Sequence, residues 1–505
     1  MNPFATLKRA TLLTSALLSL SFSLQADVRL HGLFTDNMVL QRNASVPVWG
    51  WGDEGEEVKV SFRNQSVKTL VKGGKWMVHL GKLKAGGPNS LTVQGKNRIE
   101  LKDVLVGEVW IASGQSNMEW PMSVTHNATN EIAKASNPQI RFYTVPKRKA
   151  LQPTDTVPSS WQVCSPASAR AFSAVAFYFG RDLEKALGVP IGLIHTSWGG
   201  SPAEVWMSEQ ALNGNPRYKT EILDGYQSAA SQHLDALTKF NTEKAEAKAS
   251  GKSFTRNAPG APWRPTELYN GMIAPLIPFA FQGAIWYQGE SNAGRAEQYR
   301  SLFPDMIRNW RKDWGQGDFP FLLVQLAPFL AIKSEPSESS WAELREAQWL
   351  STTVLPKVGM AVITDVGDAK DIHPRWKEPV GARLALAARR TAYGQKIVYS
   401  GPEFRSLSVR GDNAVLRFRH TGSGLIAKGG ELTGFTLAGE DHKFVKASAR
   451  IEADTVVVSS PQISKPTAVR FGWADYPVVN LWNKEGLPAV PFRTDDLPMI
   501  TAGKK

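Results

Sequence analysis

Cys164 is the only cysteine in this 505-residue chain, so no disulfide can close within it and no cysteine-rich metal site can be built. Its neighbours, Val163 and Ser165-Pro166, carry no activating pattern, and the thiol reads as a buried structural group. Long apolar runs are also scarce. The stretch 274–286 is apolar, but Pro275 and Pro278 interrupt it, so integral membrane association is not expected. Internal repeats, low-complexity tracts, basic repeats and zinc-finger spacings are missing too, which argues against nucleic acid as a partner.

What is present is ordinary for a globular protein: 42% hydrophobic and 21% charged residues, in a chain long enough for two or three domains. The first 26 residues differ. Lys8 and Arg9 precede a mostly apolar run from 12 to 24, and the segment closes on Ala26. A basic start, a short apolar stretch and a small terminal residue are the marks of a secretory signal, removed near Ala26 to leave a periplasmic or secreted protein. The formal charge is +13, and +11 without Lys8 and Arg9. That excess favours anionic surfaces or polyanionic glycans.

Three textures follow one another. Residues 27–105 read as a small β-sandwich: runs at 46–49, 58–62, 76–80 and 90–93 alternate apolar and polar residues between Gly, Pro, Asn and Asp. Residues 106–395 alternate strands and helices. Strands are expected at 104–112, 191–195, 283–287, 319–325 and 359–364, and helices at 174–187, 297–310 and 378–390. That alternation predicts an α/β domain with a parallel sheet covered on both faces. A polar helical stretch at 228–249 marks an insertion, about 208–265, outside its core. From 396 to 505 β texture returns, clearest at 414–418, 455–459 and 468–471.

The chemistry gathers where the α/β strands should end, the edge at which open parallel sheets build sites. Gly114-Gln115-Ser116-Asn117 places a serine between a strand and a helix start, where its hydroxyl can point outward and its N–H can face a developing oxyanion. Taken alone, this tetrapeptide reads as a helix cap. Trp198-Gly199-Gly200 gives two glycines for close backbone approach, and alone is a turn. Gln288-Gly289-Glu290-Ser291-Asn292 sets amide side chains beside a glycine, so Gln288 or Asn292 could donate to an oxyanion. Far downstream, Asp365, Asp368 and Asp371 precede His373, the one histidine of eight with such company in the α/β region. A base needs an acid on its second ring nitrogen. The same aspartates do not have EF-hand spacing, and no metal is expected.

In this order the four blocks resemble the sialate O-acetylesterase branch of the SGNH-hydrolase superfamily. The likeness starts at Gly32-Leu33-Phe34-Thr35-Asp36-Asn37-Met38 and includes Gly107-Glu108-Val109-Trp110 and Leu268-Tyr269-Asn270-Gly271. It ends in Asn480-Leu481-Trp482-Asn483 and Pro491-Phe492-Arg493-Thr494, and so covers nearly the whole mature chain. The resemblance implies a three-layer α/β/α catalytic domain and a serine esterase acting on acetylated carbohydrate, sialic acid esters or a polysaccharide such as xylan, with no cofactor. It implies Ser116 as nucleophile and His373 as base. Asp371 becomes the orienting acid, ahead of Asp368, because Lys370 stands where the superfamily has its aspartate. The oxyanion hole would comprise the Ser116 N–H, Gly199 or Gly200, and Gln288, with Asn292 second. Trp198, Trp206 and Glu290 are the expected substrate contacts. A lipid esterase or thioesterase, and a catalytically dead glycan-binding protein, are the competing readings. The sequence fixes no oligomeric state.

Overall fold

The computed structural model describes residues 27–505. The signal segment expected at 1–26 lies outside the described residues. The architecture is mixed α/β, with one large mixed sheet and additional β regions at both ends of the chain. Among the described residues no helix is long and apolar enough to cross a membrane.

The central strands are β1 (Arg98–Gly114), β2 (Asn137–Thr144), β3 (Gln162–Cys164), β4 (Ile191–Ser197), β5 (Gly283–Tyr287), β6 (Phe321–Val324) and β7 (Val358–Ala361). They lie in the order β3-β2-β4-β1-β5-β6-β7, parallel except for the β3/β2 edge. Alternate side chains serve two separate cores. Val109, Ile111, Ala284, Trp286, Phe321 and Leu323 enter one; Trp110, Ala112, Ile285, Tyr287, Leu322 and Val324 enter the other. This two-residue period is what makes these strands apolar throughout: both faces are covered.

The helices used below are α1 (Ser116–Glu119), α2 (Ala174–Leu187), α3 (Gly225–Ala249), α4 (Ala296–Trp314), α5 (Ser340–Val354) and α6 (Glu378–Thr391). Helices α2 and α6 pack on the second core, and α4 and α5 on the first. Ser173 caps α2 by accepting the Ala176 N–H, and Gly188 ends it in the left-handed region. Trp286 meets Trp206 and Trp310 edge-to-face, at 6.0 and 5.8 Å between centroids. Each such pair adds about 1 kcal/mol beyond area burial.

Strand β1 runs unbroken through the boundary expected between residues 105 and 106. Its first half pairs with Gly86–Gln94 and Val39–Gln41 of the N-terminal region, its second half with β4 and β5. Buried polar stitches reinforce the junction: Gln41 donates to Glu108 (2.8 Å) and accepts the Val109 N–H (2.8 Å). At the other end, Arg345 on α5, 1% exposed, donates to carbonyls of Leu326, Ala327, Ala474 and Asp475. The chain terminus returns to α5 as well, where Thr501 donates to Glu343 (2.6 Å). The inserted helix α3 buries only Phe240.

Candidate active site

Three adjacent strands end level with one another. Gly114, the last residue of β1, is in register with Ser197 of β4 and Tyr287 of β5. The loops that follow are stitched across this edge: Trp198 N–H donates to Gly114 C=O, and Gln115 N–H to Tyr287 C=O, both at 3.0 Å. Gly114 is required here. Its φ is +138°, and a Cβ would run into the Tyr287 carbonyl oxygen. The chain turns at once into α1, with Ser116 as its first residue.

The His373 loop arrives from beyond β7. Arg383 of α6 holds its start by gripping Asp365 with two nitrogens, at 2.6 and 2.8 Å. The Asp368 carboxylate accepts the N–H groups of Lys370 (2.8 Å) and Asp371 (3.2 Å), and Asp371 accepts that of His373 (2.8 Å). These turns deliver His373 Nε2 to 2.8 Å from Ser116 Oγ across 257 residues of sequence. Asp371 Oδ1 lies 3.4 Å from His373 Nδ1, and Trp120 stacks on the imidazole at 5.1 Å. Asp371 thus faces the ring, while Asp368 shapes the loop.

Burial pushes the His373 pKa below its ordinary 6.5; Asp371 opposes this shift and Lys377 adds to it. The shift favours the neutral ring, the form that can accept a proton. A second serine–histidine contact, His195 Nε2 to Ser197 Oγ at 2.5 Å, lies inside β4 with both residues buried. Burial takes the His195 pKa down to about 4. Among the described residues no three of His, Cys, Asp and Glu are grouped so as to hold a metal ion.

Several expected contacts take other partners. Gln288 is wholly buried; its amide donates to Ser201 C=O (3.3 Å) and Asn292 Oδ1 (2.7 Å), and its oxygen accepts from Tyr299 (2.9 Å). Asn292 accepts the Ala203 N–H and donates to Glu204, so both amides are committed to holding the β5 loop. Gly199 N–H donates to Glu119 Oε2 (2.7 Å), one turn from Ser116. The Gln288 amide and the Gly199 N–H, expected in the oxyanion hole, are thus paired with protein groups, as is one of the two Asn292 amide hydrogens. Trp206 is 0% exposed with its N–H on Ser201, and the half-buried Glu290 turns its carboxylate in against Asn117. Trp198 remains partly exposed on the rim, edge-on to Trp263 from the end of the insertion, with Lys147 and Lys149 near its ring.

Three donors stay open. Among the described residues, the N–H groups of Ser116 and Gly200 have no hydrogen-bond partner. The third was not singled out from sequence. Gln115, 3% exposed, has its side-chain oxygen pinned by the N–H groups of Gly289 (3.3 Å) and Ser291 (3.5 Å), which leaves its NH2 unpaired. Ser291 Oγ donates to Gly200 C=O (3.0 Å) and so ties Gly200 to the same corner. A polar residue beside Ser116 was the only signal for Gln115, and the same holds for Asn117. For Lys377, also buried here, no local signal exists.

The carbohydrate esterase, sialic acid-specific acetylesterase family model matches residues 106–258 and 248–388. Sialate O-acetylesterase of Rattus norvegicus is 31% identical over 91% of this chain and 93% of its own length. The Homo sapiens protein of that name is 32% identical over 74% of this chain and 73% of its own. A crystal structure of a carbohydrate acetylesterase from Xanthomonas citri superposes with a TM-score of 0.81 at 40% identity, covering 93% of this chain and all (100%) of that one.

Proposed function

Since this chain belongs to the sialic acid-specific acetylesterase family of carbohydrate esterases, and is a carboxylic ester hydrolase, we propose that it releases acetate from O-acetylated sugars through a serine-bound acetyl-enzyme. The single observation that carries the reading is the 2.8 Å contact between Ser116 Oγ and His373 Nε2 at the carboxyl edge of the parallel strands. The catalytic unit in this reading is an SGNH-type three-layer domain spanning 106–395, between β domains at 27–105 and 396–505. Residues 1–26 act as an export leader.

In the reaction, Ser116 Oγ attacks the acetyl carbonyl carbon while neutral His373 takes the hydroxyl proton. The carbonyl oxygen gains negative charge and is met by the Ser116 N–H, the Gly200 N–H and the Gln115 NH2, donors that no protein group occupies. His373 then returns the proton to the departing sugar hydroxyl. Water adds to the acetyl-serine by the same route, with His373 again as base, and acetate leaves. Asp371 steadies the imidazolium that forms in each half. Glu119, paired with Lys147 (2.5 Å), fixes the Gly199 turn against Ser116. Trp198 is the rim contact for the sugar.

The test is acetate release from a panel of O-acetylated sialosides, acetylated xylo-oligosaccharides and p-nitrophenyl esters of increasing chain length. Turnover of the sugar acetates, lost in Ser116→Ala, supports the reading. Preference for long acyl chains turns it into a lipid esterase, and sugar binding with no ester cleavage into a glycan-binding protein.

A further inference from the structure

Lys377 is a charged side chain with 0% exposure, four residues beyond His373, and the proposed reaction does not use it. Its ammonium donates to Asn117 Oδ1 and lies 5.3 Å from the Tyr287 ring centroid and 5.7 Å from that of Trp120. The other end of the Asn117 amide donates twice, to Glu290 Oε1 (2.6 Å) and to Ile372 C=O (3.0 Å). Asn117 adjoins Ser116, and Ile372 adjoins His373. The amide therefore spans the two segments whose separation sets the Ser116–His373 contact.

The flanking charges determine which way this amide points. Its oxygen must face a cation and its nitrogen a carboxylate; turned over, it would set oxygen against Glu290 and NH2 against Lys377. Among the described residues no direct ion pair joins Lys377 to Glu290, and the Glu290 Oε2 has no hydrogen-bond partner. Two buried charges bridged through a neutral amide, rather than touching, make a poor stabilising pair and a good orienting one.

We infer that Lys377 and Glu290 lock the Asn117 amide as a strut between the Ser116 helix and the His373 loop, and that Lys377 is a positioning residue for the esterase reaction. The inference rests on the assignment of Ser116 and His373 as the reacting pair. Lys377 has a second effect through charge. It faces Glu290 from the β5 loop, Asp371 and His373 from its own loop, and the Tyr287 ring from β5. Burial lowers its pKa to about 7, so on the acid side it is cationic and opposes protonation of His373.

The experiment compares the wild type with Lys377→Met and with the doubly neutral Lys377→Met/Glu290→Gln, using p-nitrophenyl acetate. It reads kcat, the pH profile of kcat/KM and the thermal midpoint. Lys377→Met is expected to lower kcat about 10- to 100-fold, by letting the strut turn, and to move the acid limb to higher pH. In the double variant no lone buried charge remains, so the midpoint should recover while kcat stays low. Recovery of kcat together with the midpoint, an acid limb that does not move, or failure of both variants to fold would each overturn the inference and leave the pair a purely structural role. Failure of the underlying assignment looks different: wild-type turnover would then survive Ser116→Ala.

Discussion

The exchange of oxyanion donors can be tested by separating catalytic loss from stability loss at two glutamines. Gln288 makes three hydrogen bonds in a fully buried setting. At about 1 kcal/mol each, Gln288→Ala should cost about 3 kcal/mol of stability, and more for the cavity. Its effect on kcat per folded molecule should be small, because none of its polar atoms is open to substrate. Gln115 is the reverse. Its oxygen makes only two long bonds, 3.3 and 3.5 Å, so Gln115→Met should cost about 1 kcal/mol of stability. If the unpaired NH2 serves the oxyanion as proposed, its loss should lower kcat by about 10²–10³, or about 3–4 kcal/mol of barrier. The assay is p-nitrophenyl acetate hydrolysis, normalised by active-site titration, beside urea unfolding of each variant. The reasoning fails if Gln115→Met keeps kcat within about threefold of wild type while Gln288→Ala loses about 10² at unchanged stability.

Ser116→Ala should remove about 10⁵-fold or more of the rate and leave the urea midpoint in place, since the hydroxyl makes one side-chain contact, to His373. The acid limb of kcat/KM should lie below the ordinary imidazole value of 6.5, because the base must be neutral and burial lowers the His373 pKa. Asp371 raises that pKa, so Asp371→Asn should move the limb further down, opposite to the shift from Lys377→Met, and lower kcat about 10²-fold; a limb moving upward would contradict the charge assignment. Gly114→Ala adds a Cβ against the Tyr287 carbonyl at a φ of +138°, so loss of activity with about 3 kcal/mol or more of stability is expected from unfolding curves. Trp198→Ala should raise KM for acetylated sugars and leave p-nitrophenyl acetate kinetics nearly unchanged, which a two-substrate comparison reads directly.

Most of the central sheet was legible because its strands carry a local signature. The 191–195, 283–287 and 174–187 segments are apolar runs or helical periods bounded by Gly and Pro, and the structure has elements there: Ile191–Ser197, Gly283–Tyr287 and Ala174–Leu187. Helix α5 was not legible. Glu343, Arg345 and Gln348 are buried on it, and these polar residues break the apolar stripe by which a helix is recognised. They are buried because their partners come from elsewhere: Thr501 for Glu343, the carbonyls of Ala474 and Asp475 for Arg345, and the Gln288 carbonyl for Gln348.

The active site divides along the same line. The order of motifs, through its resemblance to a known family, pointed to Ser116 and His373 as a candidate pair, and the structure sets their side chains 2.8 Å apart. Residue type could not say which amide was spent on holding a loop and which was left for substrate. That difference between Gln288 and Gln115, and between the N–H of Gly199 and that of Gly200, follows from neighbours 80 to 174 residues away. A hydrogen-bond donor has one best partner in three dimensions, and only the packed sheet edge decides which partner arrives first.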